Sequence, residues 1–391
     1  MSEKTEALRK ERLKLFQDAV RYQKKPDRVP NLSYYVTWPF FDAGYTLKEA
    51  VCDYDKIEDA VTQHCTRYQW DGIYCYGTRN PYRVTQRFGT EYYQISDENI
   101  NVNAYQLLDR EELKGLIEDP IKTMWTKCMP RKFDAFNPDM TLETMQAVLN
   151  ERLAFNRFSQ KMRVKAKEEW GYPDLLDGNM GFMYFGYEYL FSMTRGIRGF
   201  SLDMRKDPVL LKEAAEALDR LWVEPSLRKL EKAEPGSCPD SVWDTQICLL
   251  APTVMSNKQY EYFYVPIIHR ICDAVASKGK TIRIMYEGDT ERFMEYYTDY
   301  PKGTITFMCE QDDLVKLKKK YPQFTYCGGM PIRLLGYGTK EEVVEYARRL
   351  VNEVGGDGGF VISQDKMGTS RHDATRENLM AYCDFIASGN Y

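Results

Sequence analysis

The chain reads as an α/β protein with a closed (β/α)8 barrel, on three observations. Eight short apolar strand candidates alternate with charged helical patterns along the 391 residues. The last four of these strands each end in chemically usable groups. TIRIMYEGD (281–289) ends on Glu287 and Asp289, GTITFMCEQDD (303–313) on Glu310, Asp312 and Asp313, FTYCGGMP (324–331) on Cys327 and two glycines, and GGFVISQD (358–365) on Asp365. Polar groups at successive strand ends are the layout of a barrel active site. Finally, an open doubly wound sheet would carry a GxGxxG turn after an early strand, and none occurs.

The elements follow in order. Residues 1–20 form an amphipathic helical extension whose apolar positions Leu8, Leu13, Leu15, Phe16 and Val20 share a face. Strand candidates run over 29–38, 72–78, 177–186, 245–254, 281–287, 304–309, 323–328 and 359–363. Helical patterns cover 54–70, 104–118, 142–168, 207–230, 259–278, 289–297, 311–320, 340–354 and 376–386. Residues 79–176, rich in aromatics and turn formers at their start, are an insertion between strands two and three. They are expected to make a hairpin-like excursion over the barrel mouth within a single 1–391 domain. GGDGG (355–359) precedes the last strand and reads as a tight turn at the barrel bottom.

Composition excludes several classes. A net charge of −4 with dispersed Lys and Arg gives no phosphate-tracking groove, so no nucleic-acid partner is expected. No apolar run approaches the roughly 20 residues that span a bilayer. The N-terminus mixes acids and bases without a cleavable apolar core, so a cytoplasmic location is expected. The ten cysteines include no CxxC pair and read as buried free thiols. Twenty-nine tyrosines and six tryptophans suit an aromatic-lined cleft.

Among the strand-tip groups, Glu287 suits a general acid or base, a metal ligand or a hydrogen-bond acceptor. Asp289 is as readily the N-cap of the following helix. Asp365 and Glu287 would share the barrel top, where two carboxylates can bind a metal or share a proton. Cys327 lacks a neighbouring histidine to activate it and reads as a site cysteine or a core thiol. Tyr76 and Arg79 follow the second strand, and Arg79 suits a ligand carboxylate. Trp38, Phe40 and Phe41 follow the first strand and suit stacking on a flat ligand. Tyr184, Tyr187 and Glu188 follow the third, with Arg195 soon after. His64 and His269 lie in helical patterns and read as structural, whereas His372 follows the last strand. Asp71 opens the second strand and reads as structural.

The motifs GKTIRIMYEGDTERFMEYYTDYPKG, YCGGMPIRLLGYGTKEEVVEYARRLVN and GGDGGFVIS with DATRENLMAY resemble the uroporphyrinogen decarboxylase superfamily, most specifically from about residue 279 onward. The resemblance implies a (β/α)8 barrel, permits a homodimer, and leaves two well-known branches to weigh. The decarboxylases carry an arginine-rich motif after the first strand. YYVTWPFFDAGY here has no arginine, which argues against porphyrinogen decarboxylation. The zinc-dependent thiol methyltransferases carry His-x-Cys after the fifth strand and Cys after the eighth. Here those places hold Met285-Tyr286-Glu287 and Ser363-Gln364-Asp365.

The EGD and GGFVIS forms look most like the branch that moves a methyl group from O-methylated aromatic compounds to the cobalt of a corrinoid (cobalamin) protein. That resemblance implies a corrinoid-binding partner and a small methylated aromatic substrate. Glu287, Asp365 or Tyr184 would assist the leaving oxygen. Trp38, Phe41, Tyr76, Arg79, Tyr187, Arg195 and Cys327 would surround the substrate. Glu287 and Asp365 would hold an ion if one is present. The alternatives are a zinc-dependent corrinoid-to-thiol methyltransferase, a decarboxylase of another small substrate, and a non-catalytic tetrapyrrole or corrinoid binder.

Overall fold

The computed structural model describes residues 2–22, 24–103, 106–136 and 140–391. Eight parallel strands form a nearly closed barrel: β1 (Asn31–Ser33), β2 (Gly72–Ile73), β5 (Asp174–Phe182), β6 (Ser241–Leu249), β7 (Ile282–Tyr286), β8 (Ile305–Cys309), β9 (Thr325–Met330) and β10 (Phe360–Gln364). Their order is β2-β1-β10-β9-β8-β7-β6-β5. The expected (β/α)8 barrel is therefore present. Strands β6 to β10 are buried almost throughout, as parallel strands covered on both faces should be.

Among the described residues no ladder joins β2 to β5, which leaves a seam. Its cause is local. The second strand, expected over 72–78, stops at Ile73; the Tyr74 amide still donates to Ser33 O at 2.9 Å, and the chain leaves the ladder after it. Opposite it, the β5–β6 register breaks between Leu176 and Gly181. The expected strand 245–254 lies earlier, at 241–249. Buried Asp244 is satisfied there by the amides of Cys238 (2.7 Å) and Thr281 (2.8 Å), and Pro252 closes a 3-10 turn.

The insertion contains the antiparallel hairpin β3 (Tyr93–Ile95) and β4 (Ile100–Val102). Glu98 at its tip pairs with Arg371, 3.3 Å away, beyond β10. The expected helix 104–118 is a shorter helix, Leu113–Glu118, and residues 104 and 105 lie outside the described residues. The pattern at 259–278 is two helices, Asn257–Phe263 and Val265–Ser277, parted just ahead of Pro266.

The N-terminal helix Glu3–Arg21 closes the barrel bottom. Its N-cap Ser2 accepts from the Thr5 amide at 3.1 Å. Leu13, Phe16 and Val20 pack with Leu32, Leu175, Trp243 and Val361 inside the barrel. Arg21 Nη2 donates to the carbonyls of Cys238 (2.7 Å) and Ser241 (3.0 Å). The amide of Gly359 donates to Ala19 O at 3.0 Å. Gly359 has φ 66°, and a Cβ there would lie 1.8 Å from the Tyr22 hydroxyl, so the GGDGG turn requires glycine. Among the described residues no helix is long and apolar enough to cross a membrane.

Candidate active site

Alternation along β7 sends Arg283, Met285 and Glu287 to one side of the sheet, toward the barrel axis. Cys248, Met285, Met308, Cys327 and Val361 stand in register on five adjacent strands and pack in one interior cluster. They form a largely sulfur-bearing layer across the barrel. Above it, at the C-terminal mouth, lies a cavity of about 320 Å³. Tyr34, Met285 and Met308 line it, and Glu287, Glu310 and Asp365 stand around it.

The three carboxylates differ. Burial, and then the negative charge of Glu310, push the Glu287 carboxyl above its ordinary range, while Arg79 opposes the shift. Glu310 is tethered, its Oε2 accepting from the Gly288 amide at 3.1 Å. Burial also raises Asp365, opposed first by the Ile332 amide, which donates to its Oδ1 at 3.0 Å. Asp365 therefore also anchors the start of the helix Ile332–Tyr337. Asp289 is exposed and is not the cap of the following 3-10 helix (Glu291–Tyr297). Asp312 caps it instead, accepting from the amides of Thr290 (3.1 Å) and Glu291 (3.0 Å).

A second cavity, of about 440 Å³, opens at the seam. Tyr74, Tyr76 and Arg79 line it from beyond β2, Phe182 from β5, Gln246 from β6 and Arg283 from β7. Met285, which lines the first cavity, touches two residues that line the second. Its Sδ faces the hydroxyls of Tyr34 (4.0 Å) and Tyr74 (3.7 Å) and the Gln246 amide nitrogen (3.3 Å). Tyr184 is half-exposed beside Phe182, and its hydroxyl feels the charge of Arg79.

The structure moves several expected ligand contacts into the core. Trp38 is buried, donates from Nε1 to Ala374 O at 3.1 Å, and packs against Tyr35, His64 and Tyr68. Phe40 and Phe41 are buried, with Arg371 over the Phe41 ring. These residues enter the short helix Trp38–Asp42, which turns them into the layer outside the barrel. Tyr187 stacks on Tyr264, 5.4 Å between centroids. Arg195 is buried; its Nε donates to Asp203 at 2.6 Å and its Nη1 to Leu108 O, which ties the insertion to the helix Gly196–Lys206 and leaves the guanidinium committed. Cys327 is fully buried in the sulfur layer, and burial pushes its thiol up to about 12. That environment suits an inert core thiol.

His64 is a buried core residue, in keeping with its structural reading. Its Nε2 bonds to Ser33 Oγ at 2.8 Å, and burial pushes it down to about 3. Glu188 is buried beneath the mouth, accepting from the Leu250 amide (3.0 Å) and the Tyr264 hydroxyl (2.8 Å), and burial pushes it up to about 8.

Among the described residues no group of three His, Cys, Asp or Glu side chains could hold a metal ion. The donors at the superfamily's zinc positions are a thioether and two carboxylates, and the thioether already faces three hydrogen-bond donors. This set does not fit a thiol-activating zinc ion, which sulfur and imidazole ligands hold. The residues that sequence reasoning missed are Tyr34, Tyr74, Gln246 and Arg283. Only the period-2 relation of Arg283 to Glu287 could have marked that arginine as facing inward.

Residues 242–365 match the uroporphyrinogen decarboxylase (URO-D) family model. A solved structure described as a methyltransferase from Methanosarcina mazei aligns with 96% of this chain and 98% of its own, at 13% identity and a TM-score of 0.59. No curated protein matches the chain. Over residues 242–365 the barrel thus carries the uroporphyrinogen decarboxylase pattern, and the superfamily resemblance read from the motifs after residue 279 is borne out.

Proposed function

We propose that the protein is a methyltransferase component that takes the methyl group of a small O-methylated aromatic compound and delivers it to a corrinoid carried by a partner protein. The observation that carries this reading is Glu287: a cavity-lining carboxyl whose affinity for its proton is raised by burial and by Glu310. A phenolate leaves poorly from carbon, so the ether oxygen needs a proton as the O–CH3 bond breaks, and a carboxyl whose affinity for its proton is raised is suited to supply it. The reduced cobalt of the corrinoid, when present, supplies the electron pair that accepts the methyl group. Met285 and Met308 offer polarisable thioether contacts to an aromatic ring. The methyltransferase description of the M. mazei structure agrees with this reading. A donor set suited to protonating oxygen rather than activating a thiol favours ether cleavage over thiol methylation.

The test is release of the phenol from a panel of methoxyarenes, with purified cob(I)alamin and with the cognate corrinoid protein. Turnover of at least one methoxyarene is expected. Inertness toward all methoxyarenes with the partner present would sink the proposal.

A further inference from the structure

Arg283 sits inside the barrel, 1% exposed. Its Nε and Nη2 both donate to Gln246 Oε1, the former at 2.8 Å, and Nη1 has no partner among the described residues. The guanidinium lies 4.3 Å from the Trp243 ring centroid and 5.4 Å from that of Tyr74. The groups that bear most on its charge are tyrosines and Cys327, with no carboxylate among them. A buried guanidinium without a counter-charge is costly, and structures normally pair it.

The rest of the seam cavity is rich in donors too. Tyr74 and Gln246 direct theirs at the Met285 sulfur, a weak acceptor. Among the described residues Arg79 donates to Met367 Sδ at 3.1 Å, another weak acceptor, and feels the charge of Glu287. The other cation there, Arg163, is already matched by Asp174 at 3.1 Å, which Lys167 also holds at 2.9 Å. Asp177, at the rim, accepts from the Asn179 amide at 3.0 Å.

We infer that the seam cavity binds the carboxylate of a small aromatic acid, with Arg283 Nη1 as its buried donor and Arg79 as a second cation. Arg283 is the buried cation and Arg79 is exposed, so the charge left unmatched inside the barrel is a single one, which suits a monoanion better than a phosphate dianion. Tyr76 and Phe182 supply aromatic surface for the ring. Combined with the methyl-transfer reading, on which this extension rests, the substrate class becomes methoxylated aromatic carboxylates. The binding itself does not depend on that reading.

Calorimetric titration of the protein with benzoate and with its neutral isostere benzamide tests the site. Benzoate is expected to bind at least about tenfold tighter, the effect of one charge-assisted hydrogen bond. Arg283→Met should erase the preference. So should Gln246→Glu, which hands Arg283 an internal carboxylate and should hold or raise the melting temperature, so that misfolding is not the cause. Arg163→Met should keep the preference. Absent benzoate binding, equal affinity for the two probes, a preference that survives both Arg283→Met and Gln246→Glu, or inorganic phosphate binding as tightly as benzoate would each overturn the assignment. These titrations need neither partner nor turnover. Benzoate selectivity in a protein inert toward methoxyarenes would therefore remove the methyl-transfer reading and leave the site standing.

Discussion

The two ends of the barrel treat charge in opposite ways. At the bottom, Asp71 holds Arg28 through two bonds of 2.6 Å and accepts from the Asn31 amide at 2.8 Å. Asp244 is met by Thr281, and Lys318 by Asp357 at 3.0 Å. The N-terminal helix seals this end with apolar side chains. At the top, Glu287 and Glu310 face one cavity with like charges, and Arg283 beneath them has a free donor. Matched charge and dry packing hold a fold together, whereas unmatched charge in a cavity is what a ligand or a reaction completes. Substitutions at the two ends should therefore separate stability from activity.

The largest expected effect is at the top. Glu287→Gln should lower kcat for methoxyarene demethylation by about 10²–10⁴, the usual weight of a general acid, and shift the urea midpoint little. The next lies at the bottom. Phe16→Ala removes a fully buried ring of the plug and should cost about 3–5 kcal/mol in urea unfolding, with kcat of the folded fraction within a few-fold of the parent. Asp71→Asn should cost roughly 3 kcal/mol by stranding Arg28, again without a matching loss of kcat.

The last effect is a slope. Glu188 is pushed up to about 8 by burial, from an ordinary value of 4.5. Between those values the folded state keeps a proton that the unfolded chain has released. Stability should therefore be lost as pH rises from about 4.5 through about 8, and Glu188→Gln should flatten that decline in melting temperature.

How far the sequence could be read follows the same division. The strands expected at 281–287, 304–309 and 359–363 are found within a residue or two of those bounds, because strands buried on both faces are continuous apolar runs. The early strands expected at 29–38 and 72–78 shrink to 31–33 and 72–73. Their aromatic continuations look like strand but pack as helix or seam. Glu287 and Asp365 reach a cavity because a strand end fixes their depth, whereas Tyr76 and Arg79 reach one from the segment that leaves the sheet after β2. Trp38, Phe41, Tyr187 and Arg195 do not, because nothing local separates a cavity aromatic from a packed one, or a free arginine from one held by Asp203 across eight residues. Arg283 escaped notice because its surroundings come from distant parts of the chain: Trp243 and Gln246 on β6, Cys327 on β9, and Tyr34 and Tyr74 beyond β1 and β2.

The central claim, that Glu287 gives the leaving oxygen its proton, is tested most directly by leaving-group dependence. Demethylation rates would be measured for methoxyarenes whose phenols span a wide range of acidity, in the parent and in Glu287→Gln. The account predicts a shallow dependence in the parent and a steep one in the variant, with the loss nearly absent for the most acidic phenol. An equal loss across the series, or none, would contradict it.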